Sequence, residues 1–197
     1  ILLILLSLSL LNSQAQEFAD KEFYLVDSLV LEDLSKEDKN LLNQQLRAYH
    51  SSNDHNKLSH FDTIIILTNS ETLGKVYHKP YIEASKKITT ELKEGSKEWK
   101  EAMVFYGNSI NNIALKFDYA YELDSALFYY EMAIEIYKKA EENQAVGETM
   151  NMIAVIYGNK DMYYEAIEMM NNSIVFLDTN QVNTSICLTN IAIFQTE

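Results

Sequence analysis

The chain repeats itself at a step of 40 residues. One stretch reads Ile110-x2-Ile113-Ala114-x2-Phe117, then Ala126-x3-Tyr130-x2-Ala133; the next reads Met150-x2-Ile153-Ala154-x2-Tyr157, then Ala166-x3-Met170-x2-Ser173. The step from Ala114 to Ala126 equals that from Ala154 to Ala166, and a third copy opens at Leu188-x2-Ile191-Ala192. Apolar residues three and four apart specify helices. A unit of this size cannot bury its apolar face alone, so successive copies must stack. Arrays of this kind usually present a binding surface and carry no chemistry of their own.

Composition supports long helices over a turn-rich β-fold: among 197 residues there are 5 Gly and 1 Pro, with 47% hydrophobic content. Thirteen Tyr and eight Phe stand mostly at helical spacing, where they serve a core. The net charge of −13 disfavours nucleic acid, whose phosphates need a basic face, and also an anionic membrane surface. The single Cys187 excludes an internal disulfide framework.

Residues 1–11 form an apolar run of signal-peptide length, too short to span a bilayer comfortably, and Ser13-Gln14-Ala15 supplies the small residues of a cleavage site. We therefore expect a signal peptide over 1–15 and an exported protein of the periplasm or cell envelope; the alternative is a buried N-terminal helix. An N-terminal helical region, 16–96, follows and holds at most a degenerate repeat. Ser35-Lys-Glu-Asp38 predicts a capping box opening a helix to about His50, with Leu41, Leu42, Gln45 and Leu46 on one stripe. A second helix is predicted from Lys57 to Leu67. A third runs from Asn69-Ser70 towards Leu92, and Pro80 should kink or split it.

From 97 to 197 the pattern is regular, with copies at about 106–139 and 146–179 and a truncated one from 184. Ala114 and Ala126 let two antiparallel helices approach, while Phe117 and Tyr130 fill the space beside them. Tyr119 to Leu123 and Gly158 to Asp161 are the turns, Gly158 being placed to relax the backbone.

Asp124-Ser-Ala-Leu-Phe-Tyr-Tyr-Glu-Met-Ala-Ile134 and Tyr163-Tyr-Glu-Ala-Ile-Glu-Met-Met-Asn-Asn-Ser-Ile174 resemble the second helix of the tetratricopeptide repeat, and Asn112-Ile-Ala114 and Asn190-Ile-Ala192 its first. The resemblance covers about 98–197 and implies an all-α fold, with helix pairs stacked into a right-handed solenoid. The period exceeds the family's usual 34 residues. The excess falls between Ala133 and Met150, where residues 138–144 can lengthen the helices and their connection. The usual proline after the second helix is missing. Together with the leader, the chain resembles the envelope-facing N-terminal part of Bacteroidetes-type sensors, whose arrays precede a transmembrane helix and a kinase or DNA-binding module. The third copy stops after one partial helix, leaving the apolar side of Ile191 and Phe194 uncapped. More chain is therefore expected beyond Glu197, and contact with a membrane only through such missing C-terminal parts.

His50, His55 and His60, with Asp54 and Asp62, suggest a metal set, but they straddle a loop with no fixed geometry and read as exposed polar residues. No phosphate loop, nucleophile–base motif or Cys-x-x-Cys is present, so neither enzymatic activity nor a cofactor or metal is expected. In the resembled family, first helices line a groove that takes a protein or peptide. Mapped here, that face holds Asn108, Asn111, Leu115 and Asp118, then Glu148, Asn151 and Val155, then Ile186, Thr189 and Ile193. Asn111, Asn151 and Thr189 would form a polar ladder for a peptide backbone, above an apolar floor of Leu115, Val155 and Ile193. The alternative function is an envelope assembly or structural factor using Tyr129 and Tyr163 on the outer face.

Overall fold

In a computed structural model of the chain, the described residues are 21–26, 29, 31, 34–53, 56–67, 71–177 and 182–195. The expected signal peptide, 1–15, lies outside them. The helices are α1 (Lys21–Tyr24), α2 (Lys36–Ser51), α3 (Lys57–Leu67), α4 (Glu71–Glu91), α5 (Lys97–Tyr119), α6 (Leu123–Ala140), α7 (Asn143–Asn159), α8 (Tyr163–Ile174) and α9 (Val182–Phe194). No strand occurs among the described residues, and no helix among them is long and apolar enough to cross a membrane. Two compact units result, Ile1–Ala84 and Ser85–Glu197, with the division inside α4.

In the first unit, Ser35 caps α2: its hydroxyl accepts from the Asp38 amide at 3.0 Å and donates to the Asp38 carboxylate at 2.9 Å. Leu42 and Leu46 are fully buried on the predicted stripe, and α3 buries Leu58, Phe61 and Ile64. Phe61 is the hub of an aromatic cluster. Its ring lies 5.1 Å from that of Tyr49, 6.3 Å from Tyr77 and 5.8 Å from Tyr81. Tyr77 and Tyr81 belong to α4, which is not split at Pro80. Proline costs a helix one hydrogen bond, but here it stands between two fully buried tyrosines. Each of these also anchors its hydroxyl, Tyr77 to the Tyr24 carbonyl at 2.7 Å and Tyr81 to the Asp62 carboxylate at 3.0 Å. Burial of the rings on both sides of Pro80 outweighs the lost bond.

The second unit is built from short turns. Ser96 caps α5 by accepting from the Trp99 amide at 3.2 Å. The α5–α6, α6–α7 and α7–α8 turns then share one geometry. Tyr121, Glu141 and Asp161 adopt φ values of 60°, 60° and 59°. The amide of the residue after each reaches back to close the helix end, Glu122 to Phe117, Glu142 to Tyr137 and Met162 to Tyr157, at 2.8–3.0 Å. This is the left-handed cap that satisfies the last carbonyls of a helix. Such a turn reverses the chain within a few residues, so consecutive helices run antiparallel.

The turns recur every 20 residues, half the sequence period. With the turns this short, the length of the 40-residue period lies in the helices. The α6–α7 connection is only Glu141-Glu142, not a lengthened loop.

Small residues set the helix spacing as the sequence predicts: Ala114, Ala126, Ala133, Ala154 and Ala166 are fully buried, along with Tyr130 and Met170. A second set lies one register further along. A Cβ at Gly107 would enter the ring of Tyr137, and one at Gly147 would meet Leu177 at 2.7 Å and the Ser173 carbonyl at 2.9 Å. Gly107 and Gly147 are 40 residues apart, as are Tyr137 and Leu177, so one contact serves both pairs. Gly158 likewise works as a packing site and not as the flexible point of its turn. It is helical and buried under the Phe194 ring, while Asp161 carries the left-handed conformation.

Candidate functional site

The second unit places the first-helix residues of successive repeats in register across α5, α7 and α9. The Thr149 hydroxyl, which donates to the Ala145 carbonyl of its own helix at 2.8 Å, lies 3.4 Å from the Asn111 side-chain oxygen, and the Cys187 thiol donates to that of Asn151 at 3.3 Å. The two asparagines thus hold equivalent positions, each facing the first helix of the following repeat. Ser173 also lies 3.4 Å from the Cys187 sulfur, so this buried thiol sits in a polar niche between α7, α8 and α9.

These contacts change the reading of the polar ladder. The side-chain oxygen of Asn151 is engaged between repeats, and that of Asn111 faces the Thr149 hydroxyl of the next first helix. Thr189 turns its hydroxyl to the Ser185 carbonyl of its own helix at 2.9 Å. Asn108 accepts from the Tyr137 hydroxyl at 2.9 Å, and Glu148 from the Gln144 amide at 2.8 Å. Asp118 accepts from the Tyr130 hydroxyl at 3.4 Å; burial first, then this carboxylate, raises that phenol far above its ordinary value. A polar side chain satisfied within the fold gains less from a ligand, because binding must first break an existing bond.

The apolar floor is differently placed. Leu115 is half-buried, Val155 is 37% exposed and Ile193 51% exposed, each at the same position of its helix. Ile186 is 43% exposed and, with Ser185, Thr189 and Asn190, lines a shallow depression of about 300 Å³ on α9. The face therefore carries an apolar row whose exposure rises from α5 towards α9, among half-buried polar residues and the exposed Thr189.

On α9 the third copy follows the second at a step of 38 residues, from Met150, Ile153 and Ala154 to Leu188, Ile191 and Ala192. Ile191 is buried against Ala154 and Met170, with Phe194 packed beside them, so neither is left uncovered. The exposed apolar residues described on α9 include Leu188 at 56%, Ile186, Ile193 and also Ala192, whose counterparts Ala114 and Ala154 are fully buried. Tyr129 and Tyr163 are also used internally. Tyr129 stacks on Phe117 at 5.4 Å with rings nearly parallel, and Tyr163 lies 5.7 Å from Phe194 while donating to the Asp161 carboxylate. The outward aromatic residues are others: Tyr164 at 90%, Tyr119 at 86%, Tyr121 at 71% and Phe128 at 60%. Their signal in the sequence was position alone, since all but Phe128 lie within two residues of a helix end.

The histidines do not converge. His50 directs Nε2 to the Phe23 carbonyl at 2.8 Å, and the His60 ring bridges Gln45 at 2.9 Å and Ser52 at 3.0 Å. Asp54 and His55 lie outside the described residues. Asp62 accepts from Tyr81. Among the described residues, no group of three or more His, Cys, Asp or Glu side chains is placed to hold a metal ion.

A scan against protein-family models finds no match, and searches of the curated proteins and of the solved structures find none either.

Proposed function

We propose that the chain is a non-enzymatic repeat domain of tetratricopeptide type, its helix pairs stacked as a right-handed solenoid, which binds a protein or peptide along its first helices. In this reading it is exported and forms the sensory or scaffolding N-terminal part of a bacterial signalling protein. The observation that carries the binding reading is the row Leu115, Val155 and Ile193, in which one position of three successive first helices bears an aliphatic side chain that becomes more exposed from α5 to α9. An amphipathic segment laid across that row would bury its apolar side there. Its occupancy would favour one curvature of the stack over another, which is how a repeat array transmits binding.

The test is a peptide-display selection against the chain, followed by hydrogen exchange with the selected peptide. Protection of α5, α7 and α9, lost in Val155→Asp with Ile193→Asp while the melting temperature holds, is the expected result. Selected peptides that bind the double variant as well as the parent would overturn the assignment. Export is tested separately by fusing residues 1–15 to a reporter that is active only outside the cytoplasm. An inactive fusion would remove the envelope part of the reading and leave the groove standing.

A further inference from the structure

The α5–α6 and α7–α8 turns lie on the same edge of the second unit, because Lys160 at the second turn reaches Asp124 at the start of α6, 2.8 Å away. That edge presents Tyr119 at 86% exposure, Tyr121 at 71% and Tyr164 at 90%. None of the three fills a core. Three phenol rings this open put aromatic faces in water along one edge, whereas the one other strongly exposed aromatic residue described in the unit is Phe128 at 60%. Tyr164 holds in its repeat the position that Asp124 holds in the preceding one, so the rings of one turn and the acids of the next share the edge.

The surrounding charge is mostly negative. Glu122, Asp124, Asp161 and Glu165 are exposed here, with Asp118 half-buried beside them, against Lys116 and Lys160. Lys160 is spent on Asp124, whose carboxyl its hydrogen bond and charge hold below the ordinary range. The edge therefore combines open aromatic faces with an excess of carboxylate. That pairing suits the guanidinium group, which stacks on an aromatic face while its N–H fork meets a carboxylate. A purely apolar partner would leave the acids desolvated and unpaired, and an acidic one would be repelled.

We propose that this turn edge is a second docking surface, distinct from the first-helix row, and that it takes an arginine-bearing segment of a protein partner. The probe is a fluorescent six-arginine peptide titrated into the full chain, read by anisotropy at physiological salt. The triple change Tyr119→Ala, Tyr121→Asn and Tyr164→Ala leaves the net charge untouched; Asn is chosen at 121 because it tolerates the left-handed backbone. It should weaken binding by about tenfold, the product of three modest cation–π contributions. Asp161→Asn with Glu165→Gln should also weaken it, whereas Glu141→Gln with Glu142→Gln, which removes the same charge at the opposite turn, should leave it within about twofold.

Circular dichroism melting checks that every variant remains folded. Equal loss from the two charge variants would mean that an acidic chain attracts any polycation, and would overturn the proposal. So would full binding by the tyrosine variant. A concentration-dependent dimer that the same tyrosine changes abolish, seen by sedimentation, would assign the edge to a second copy and overturn it too.

Discussion

The two units close their cores by opposite means. In the first, α2, α3 and α4 are joined by large rings and by side chains that reach far along the sequence: Phe61 among three tyrosines, Tyr77 to the Tyr24 carbonyl, His60 between Gln45 and Ser52. In the second, helices approach where side chains are missing or small, at Gly107, Gly147 and a set of buried alanines. Filling space with rings lets irregular helices settle, because each ring adapts to its own surroundings. Removing side chains demands a fixed register, and a fixed register is what can be repeated. The contrast explains why only one unit carries a readable period.

The largest break in this comparison should come from the first unit's hub. Phe61 is 2% exposed and its ring neighbours come from both α2 and α4. Phe61→Ala should cost about 3–5 kcal/mol, the usual range for deleting a buried aromatic. Chemical denaturation measures it, and a loss below about 1 kcal/mol would show that the cluster is not what closes this unit.

The second unit should respond to addition rather than removal. Gly147→Ala gains about 1 kcal/mol of helix propensity, yet its methyl would meet the Ser173 backbone carbonyl as well as Leu177. A carbonyl held in a helix yields less readily than a side-chain end. Overpacking of this kind costs about 1–3 kcal/mol, so the change should destabilise by a net amount of up to about 2 kcal/mol. A denaturation midpoint equal to or above that of the parent would mean that close approach at this glycine is dispensable.

Legibility in the sequence follows the same divide. The bounds of α2 and α3 could be read because Ser35 caps the first and a polar break precedes the second, and the buried alanines could be read because they recur. The turns were less clear. Helix ends in the left-handed conformation usually announce themselves by glycine, whereas here Tyr121, Glu141 and Asp161 occupy those positions. Gly158 reads as a turn residue from its place near the helix end, whereas its task is to admit Phe194. For the candidate site, the face was legible and its chemistry was not. Helical spacing places Asn111 and Asn151 on one side, but only the structure pairs them with Thr149 and Cys187. No single-residue property distinguishes Tyr163, which packs inward, from Tyr164, which is open.

A smaller effect tests the long reach of the first unit's hydrogen bonds. Tyr77→Phe keeps the ring and loses the bond to the Tyr24 carbonyl, which should cost about 1 kcal/mol. It also has a pH signature. Burial, and then proximity to Tyr24, push the Tyr77 phenol well above its ordinary 10.0. The unfolded chain therefore loses this proton first, and stability falls as pH rises past about 10. The Phe variant should lose less stability than the parent over that alkaline range. Parallel pH profiles for the two would show that Tyr77 ionises as freely in the folded chain as in the unfolded one.

The smallest expected effect lies at the acid side of the same unit, where His60 joins the α2–α3 hairpin. Burial lowers its pKa from the ordinary 6.5, so between the folded value and 6.5 the unfolded chain binds more protons than the folded one. Its contribution is then complete above about pH 6.5 and is lost as pH falls through the folded value. The ring is only partly buried, so the slope should be shallow. His60→Gln removes the titrating group while retaining an amide able to bond Gln45 and Ser52. Its stability should be flatter than the parent's between pH 7 and pH 5, measured by urea midpoints at each pH. A parent profile that rises towards acid over this interval would mean that the ring is stabilised as the cation by Gln45 and Ser52. The hairpin would then be clamped by charge-assisted bonds, and the contrast with the second unit would rest on electrostatics as much as on rings.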